Sequence, residues 1–293
     1  MVIQQTINGI TLGCTYSLIA IGYSLVFSVL ELVNLANGAF LVMGAYITLM
    51  FYLAFNGHFV LSFLLSVVIM AVLGFLMDRV ALMRLRTKKA PKMANIISTM
   101  GVATIFENFI LIFFGTETKF YPNVLEFGNI HIGESILITS TQITIVFVTL
   151  FLMGAVSLIV YKTKMGTAMR STAQNPEAAL LMGVNVNMVI SITFIISAVL
   201  ATASGVMVSM YYHSVDVRIS FIVGMKTFAA AVLGGVGFLP GAMLGGIVIG
   251  IAESLGASYI SSGFRDAIAF GIMIIVLILK PNGLFGKKEI NKV

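Results

Sequence analysis

Nine long apolar runs, separated by short polar or charged connections, leave this chain little choice of fold. A bilayer core takes about 20 apolar residues per helix. Inside lipid, every backbone polar group must be bonded within its own segment or within a closed barrel, so runs of this length predict helices. They read near 7–29, 34–55, 59–80, 95–114, 141–161, 188–211, 219–239, 242–260 and 264–280. A mean hydropathy of +1.07, with 59% hydrophobic and 10% charged residues over 293 positions, excludes an ordinary soluble domain. The expected fold is all-α: a polytopic membrane bundle of about eight to nine transmembrane helices, some of them broken or re-entrant. The second, seventh and eighth runs contain Gly, Asn or Pro and are the candidates for interruption. One transmembrane domain over 1–293, with a cytoplasmic segment at 162–187, accounts for the whole chain.

The net charge of +6 does not indicate nucleic-acid binding, because the positive residues cluster beside apolar runs as orientation signals do. The stretch 79–92 carries Arg79, Arg84, Arg86, Lys88, Lys89 and Lys92 and is expected in the cytoplasm. Lys162, Lys164 and Arg170 mark a second cytoplasmic connection, and Lys287-Lys288 a cytoplasmic tail. Residues 115–140 carry Glu117, Glu126 and Glu134 against Lys119 and read as external. Nine crossings, with the N-terminus outside and the C-terminus inside, satisfy all of these signals. The first basic residue is Arg79, so the first run lacks the basic flank of a cleaved signal peptide and is expected to remain as a helix. Arg265 and Lys280 bracket the last run and are expected to snorkel outward.

Nothing in the sequence points to covalent chemistry. Cys14 is single, so no intrachain disulfide or paired-thiol motif is expected. His58, His131 and His213 are scattered at expected external ends and read as interfacial side chains rather than ligands. The glycine-rich run 233–250 lacks the Lys and Ser/Thr of a phosphate-binding loop. No cofactor is expected on this chain, so any pumping must draw energy from a partner or an ion gradient.

Four stretches are candidates for function. In 161–186, Asn175 is a plausible N-cap, Pro176 suits the first helical position and Glu177 meets the positive end of the helix dipole. Gly183 or Asn185 can end this helix after about two turns. Its small side chains Ala178 and Ala179 suit close approach by a partner; an ordinary connecting loop is the other reading. Glu31, Asn34, Asn37 and Gly38 interrupt the apolar pattern of the first two runs. They form either a broken helix facing a translocation path or a cytoplasmic turn. Glu107, Lys226 and Glu253 fall inside runs, where an unpaired charge is costly, so they are expected to face the bundle interior, with Lys226 pairing Glu253 or Glu107. That pair lines the pathway or is a fixed internal bridge. Finally, Gly237, Gly241 and Gly245, and again Gly246 and Gly250, recur at spacings of four on either side of a Pro240-Gly241 break, giving faces for close helix contact. Gly9 and Gly13 give another. Asn37-Gly38-Ala39 and Pro240-Gly241-Ala242 both precede small-residue helices, a match too short to establish an internal duplication.

Glu177-Ala178-Ala179 followed by Gly183 resembles the cytoplasmic loop with which ABC importer permeases seat in a groove of their ATPase subunits. The Leu-Pro that usually follows that loop is replaced here by Ile195-Ile196, unlike the commonest importer subclass. The wording of GTAMRSTAQNPEAALLMGVNV, NLANGAFLVMGAY and AAVLGGVGFLPGAMLGG is similar to the branched-chain amino acid ABC permeases, specifically the shorter of the two permease subunits of the high-affinity system. The resemblance spans nearly the whole chain except 116–140. It implies a permease in the bacterial cytoplasmic membrane, with ATP hydrolysed by two separate ATPase subunits. It also implies a second homologous permease, an extracytoplasmic substrate-binding protein, contact with membrane lipid, and Leu, Ile and Val as cargo. The same machine carrying urea or short amides is an alternative, and an ion-coupled secondary transporter or channel is another.

Overall fold

The computed structural model describes residues 2–88, 90–122, 128, 130–132 and 136–286. Among these the chain forms α1 (Val2–Leu30), α2 (Asn37–Ala54), α3 (Phe59–Met77), α4 (Met83–Thr87), α5 (Lys92–Phe114) and α6 (Ser140–Lys162). After them come α7 (Lys164–Gln174), α8 (Pro176–Leu181), α9 (Val186–Tyr212), α10 (Ile219–Gly234), α11 (Leu239–Tyr259) and α12 (Arg265–Leu279). Two antiparallel ribbons complete it: β1 (Lys119–Phe120) with β4 (Ser214–Val215), and β2 (Ile130–Ile132) with β3 (Ile136–Ile138). The fold is the helical membrane bundle that the apolar runs demand. Lys89, Glu126, Glu134 and the Lys287-Lys288 tail, used above to set orientation, lie outside the described residues.

Among the described residues, eight helices are long and apolar enough to cross a membrane. The seventh expected run is the exception. As α10 it has 16 residues, about 24 Å at 1.5 Å per residue, shorter than the ~30 Å hydrocarbon core. The third run is longer than the sequence suggested: α3 passes through a π-helical turn at Asp78–Leu82 into α4, giving one rod over Phe59–Thr87. Much of the basic stretch read as a loop is therefore helix, since Arg and Lys are good helix formers and can reach polar surroundings from a helix end. The eighth run is not broken. Pro240 sits in the first turn of α11, where a missing N–H costs nothing, and Gly237 lies before the helix with φ +85°. Gly237 is thus a turn residue rather than part of a packing face.

Burial centres on α1 and α9, whose middle turns are enclosed on almost every side. Helix α1 runs along α11, α9 and α10, while α9 also packs on α2 and α3. At its glycines the α1–α11 seam brings backbone against backbone. A Cβ at Gly13 would lie 2.7 Å from Ile247 Cα, and one at Gly9 would lie 2.6 Å from Ile251 Cα. Gly246 and Gly250 face α1 across the same seam, whereas Gly241 and Gly245 face α10. Ser17 Oγ crosses the seam to donate to the Met243 carbonyl at 2.6 Å. Lipid offers no hydrophobic drive between helices, so such backbone-to-backbone packing supplies dispersion contact instead. Helices α3, α5, α6 and α12 turn large apolar side chains outward, among them Val68, Ile112, Phe147 and Ile278.

Candidate functional site

At one end of the bundle α7 and α8 form a small projection. Thr163 ends α6 and starts α7, its side chain accepting from Gly166 N at 3.1 Å. Arg170, read from sequence as an orientation signal, donates to the Val160 carbonyl and lies over the Tyr161 ring, closing the end of α6. Asn175 then caps α8: its Oδ1 accepts from Glu177 N and Ala178 N, both at 3.0 Å. The helix ends in a two-bond glycine cap, with Gly183 N bonded to Leu180 O and Val184 N to Ala179 O, both at 3.0 Å. Gly183 has φ +83°, which this closure requires and a side chain would resist.

The faces of α8 differ from the expectation in one respect. Glu177 and Ala178 are exposed, but Ala179 is 3% exposed and packs inward against its own chain. The tip is instead apolar: Leu180, Leu181 and Met182 are 63%, 88% and 84% exposed. Three apolar residues protruding outside a bundle on a doubly capped helix form a preshaped contact surface.

A buried charge cluster lies among α1, α9, α10, α11 and α12. Glu253 is fully buried and accepts from Lys226 Nζ at 2.9 Å through Oε1 and from the Tyr16 hydroxyl at 3.0 Å through Oε2. Lys226 also meets Asp266 Oδ1 at 2.6 Å. Arg265 approaches Glu253 at 3.6 Å and donates to the Tyr212 hydroxyl at 3.3 Å. Two cations and two carboxylates thus offset one another within this cluster. The expected Lys226–Glu253 pair is present. Arg265 does not simply snorkel outward: Glu253 and Tyr212 draw its guanidinium towards the cluster.

Glu107 stands apart from that cluster. It accepts from Ser220 Oγ at 2.7 Å and borders a cavity of ≈130 Å³ with Tyr23, Thr104, Ser220 and Gly224. Between α1 and α2 the chain is non-helical over residues 31–36. Asn34 and Asn37 are buried there, with Asn34 Oδ1 accepting from Ala36 N at 3.2 Å and Asn34 Nδ2 donating to Asn37 Oδ1 at 2.8 Å. Ser197 of α9 donates to the same Asn37 oxygen at 3.1 Å. The break is therefore an internal polar knot packed on α9. Gly38, next to it, admits the Ser220 carbonyl and Gly224 of α10 where a Cβ would collide.

Sequence reasoning missed two polar groups. Asp78, fully buried at the π-helical turn, bonds Arg86 at 2.9 Å and Ser191 Oγ at 2.6 Å, tying the α3–α4 rod to the start of α9. A lone acidic residue opening a basic stretch was its only signal. On the ribbon end, Asp216 accepts from Arg218 and from Thr118 Oγ1 at 2.8 Å, fixing β1 beside β4. Hydrogen bonds from the Arg218 side chain hold the Asp216 carboxyl well below the usual carboxylate range.

Residues 5–277 match the family described as "Branched-chain amino acid transport system / permease component". The chain is 35% identical to the high-affinity branched-chain amino acid transport system permease protein BraD of Pseudomonas aeruginosa, over 99% of this chain and 98% of that one. It is 35% identical to the corresponding protein LivH of Escherichia coli K12, over 99% and 97%. With the probable branched-chain amino acid transport permease protein LivH of Methanocaldococcus jannaschii it shares 30% identity over 92% and 88%. Among solved structures, PsaBC from Streptococcus pneumoniae in complex with Fab aligns with a TM-score of 0.49 at 13% identity, over 95% of this chain and 91% of that one. That last likeness is too loose to carry an argument.

Proposed function

The chain belongs to the permease components of branched-chain amino acid transport systems, and from that membership we propose that it carries Leu, Ile and Val across the bacterial cytoplasmic membrane as one subunit of an ATP-driven importer. A permease of this class works with ATPase and binding-protein partners. The finer reading is that this chain pairs with a second, homologous permease over two ATPase subunits, and that ATP is hydrolysed by those subunits alone. An extracytoplasmic binding protein delivers the cargo.

The observation that carries the coupling reading is α8. It is rigidly capped at both ends and presents Leu181 and Met182 at 88% and 84% exposure. Such a helix suits an apolar groove on a partner, with Glu177 and Ala178 on its rim and Gly183 fixing its end. Ala179 contributes by seating α8 on its own chain rather than by touching the partner. In the oriented membrane α7 and α8 face the cytoplasm, as the basic residues around them favour. The amino end of α1 and the β1–β4 ribbon then face outward.

The test is reconstitution in proteoliposomes with ATPase, second-permease and binding-protein subunits of the same transport family from the same organism. ATP-dependent uptake of leucine, with little uptake of urea, is the expected result. Uptake of urea in preference to leucine would overturn the cargo, and uptake of either without ATP would overturn the machine.

A further inference from the structure

The cavity beside Glu107 has a composition that the family assignment does not explain. Its polar side is made by Glu107, Ser220, Thr104 and the Tyr23 hydroxyl end, and its apolar side by Met100, Phe221 and Met225. At ≈130 Å³ it is slightly smaller than the ~150 Å³ cavity that admits a benzene ring, which suits a branched aliphatic side chain. Glu107 lies well inside α5, seven residues from its end at Phe114. Among the described residues no cationic nitrogen lies within 4.0 Å of its carboxylate, and Ser220 is its hydrogen-bond partner. Every other described carboxylate placed among the membrane helices of this bundle meets a cation: Glu253 meets Lys226, Asp266 meets Lys226, and Asp78 meets Arg86. A carboxylate at membrane depth is costly unless it faces a polar cavity or a countercharge.

The face around it is mixed, with polar groups set among exposed apolar side chains such as Ile105 and Phe221. Thr104 and Asn108, one helical turn apart, are exposed beside Glu107 on α5. The opposite wall belongs to the start of α10, which the Gly38 contact with Ser220 and Gly224 holds against α2. A single carboxylate, a hydroxyl beside it and a small apolar wall together match a primary ammonium group carried next to a branched aliphatic chain.

We propose that the Glu107 cavity is a cargo way-station in the permease, in which Glu107 receives the α-ammonium group of a branched aliphatic amino acid while Met100, Phe221 and Met225 hold its side chain. This rests on the amino acid cargo reading above. Ser220 orients the carboxylate, since its hydroxyl occupies one oxygen and leaves the other for the ammonium. The site binds in passing: delivery from the binding protein sets the concentration at which uptake saturates, and the cavity sets how fast a delivered molecule goes through.

The complete reconstituted transporter tests this in two arms. Glu107→Gln keeps the shape and the acceptor for Ser220 but removes the charge. Maximal leucine uptake should fall tenfold or more with the half-saturating leucine concentration unchanged. In the second arm, Thr104→Cys in a Cys14→Ser background is reacted with a small maleimide. Leucine should slow labelling several-fold, 4-methylpentanoate, which lacks the ammonium, should not, and adding Glu107→Gln should abolish the protection. The labelling arm decides the matter if Glu107→Gln does not assemble. An aminolipid headgroup carries the same ammonium chemistry, so labelling is repeated in vesicles with and without phosphatidylethanolamine. Protection that follows the lipid rather than leucine would overturn the assignment. Wild-type failure to take up leucine would sink the cargo reading itself. Normal leucine uptake by wild type and Glu107→Gln alike, with no protection of the thiol introduced by Thr104→Cys, would sink the way-station alone.

Discussion

Replacing Lys226 by Met removes the cation that two carboxylates share. Glu253 would remain fully buried, with the Tyr16 hydroxyl at 3.0 Å and Arg265 at 3.6 Å, beyond good hydrogen-bonding distance. Asp266 is half exposed and can turn to water, so nearly all the cost falls on Glu253. Breaking one side of a buried pair typically costs about 3–5 kcal/mol, because an uncompensated charge is left behind. For a chain of this size that corresponds to a fall of roughly 10 °C in unfolding temperature. Adding Glu253→Gln should recover most of it, since Gln can still accept from Tyr16 and the remaining Arg265 and Asp266 charges offset each other. The assay is thermal unfolding in detergent of wild type, Lys226→Met, Glu253→Gln and the double variant, read as a double-mutant cycle. An interaction energy near zero, with each single variant as stable as wild type, would refute the shared-cation reasoning. Recovery of stability in the double variant without recovery of uptake would assign the cluster a part in transport as well.

The orientation predicts that single cysteines at Lys88 or Lys164, in a Cys14→Ser background, are shielded from impermeant thiol reagents in intact cells, while one at Glu117 is labelled; labelling at Lys164 from outside would reverse it. Leu181→Ser with Met182→Ser should leave a folded permease that loses its ATPases on purification, whereas Ala179→Arg should destabilise α8 itself by about 1–3 kcal/mol through overpacking. Equal ATPase retention in both would show that α8 is not the docking element. At the α1–α11 seam Gly13→Val should abolish stable insertion, because the new side chain meets the α11 backbone; a normal expression level would contradict the seam. Asp216 has a depressed folded pKa, so its contribution to holding β1 on β4 is present at neutral pH and is lost as pH falls below the usual carboxylate range. Hydrogen exchange at the Tyr121 amide, which donates to the His213 carbonyl at 3.0 Å where β1 meets β4, should therefore rise in Asp216→Asn at pH 7, and unchanged protection would remove Asp216 from that role.

Most of the bundle was legible because the solvent enforces it: an apolar run of about 20 residues has no stable alternative to a helix in lipid. The caps of α8 were legible for a local reason, since Asn175, Pro176 and Gly183 act within their own turn. The face of α8 was not. The six residues PEAALL make fewer than two turns and give no phase, so only packing on α7 and α9 decides that Ala179 turns in and Leu181 out. The Lys226–Glu253 pair could be anticipated because two opposite charges at membrane depth need each other. The share taken by Asp266 could not, because a charge at the start of a helix reads as a surface residue. Helix ends were misjudged wherever long basic side chains allowed a helix to continue past the apolar run, as from Asp78 to Thr87.

The short helix α10 has a consequence for how the protein is made. The carbonyl of Leu233, in its last turn, accepts from the backbone N–H of Leu284 at 2.8 Å. That donor leaves the ribosome only after α11 and α12 have been synthesised. A nascent chain inserted from its amino end therefore holds α10 with an open final turn while two further helices thread into the bilayer. The segment after α12 then folds back and seats its glycine backbone against Gly235. The bond from Leu284 to the end of α10 thus forms only after α11 and α12 have been made.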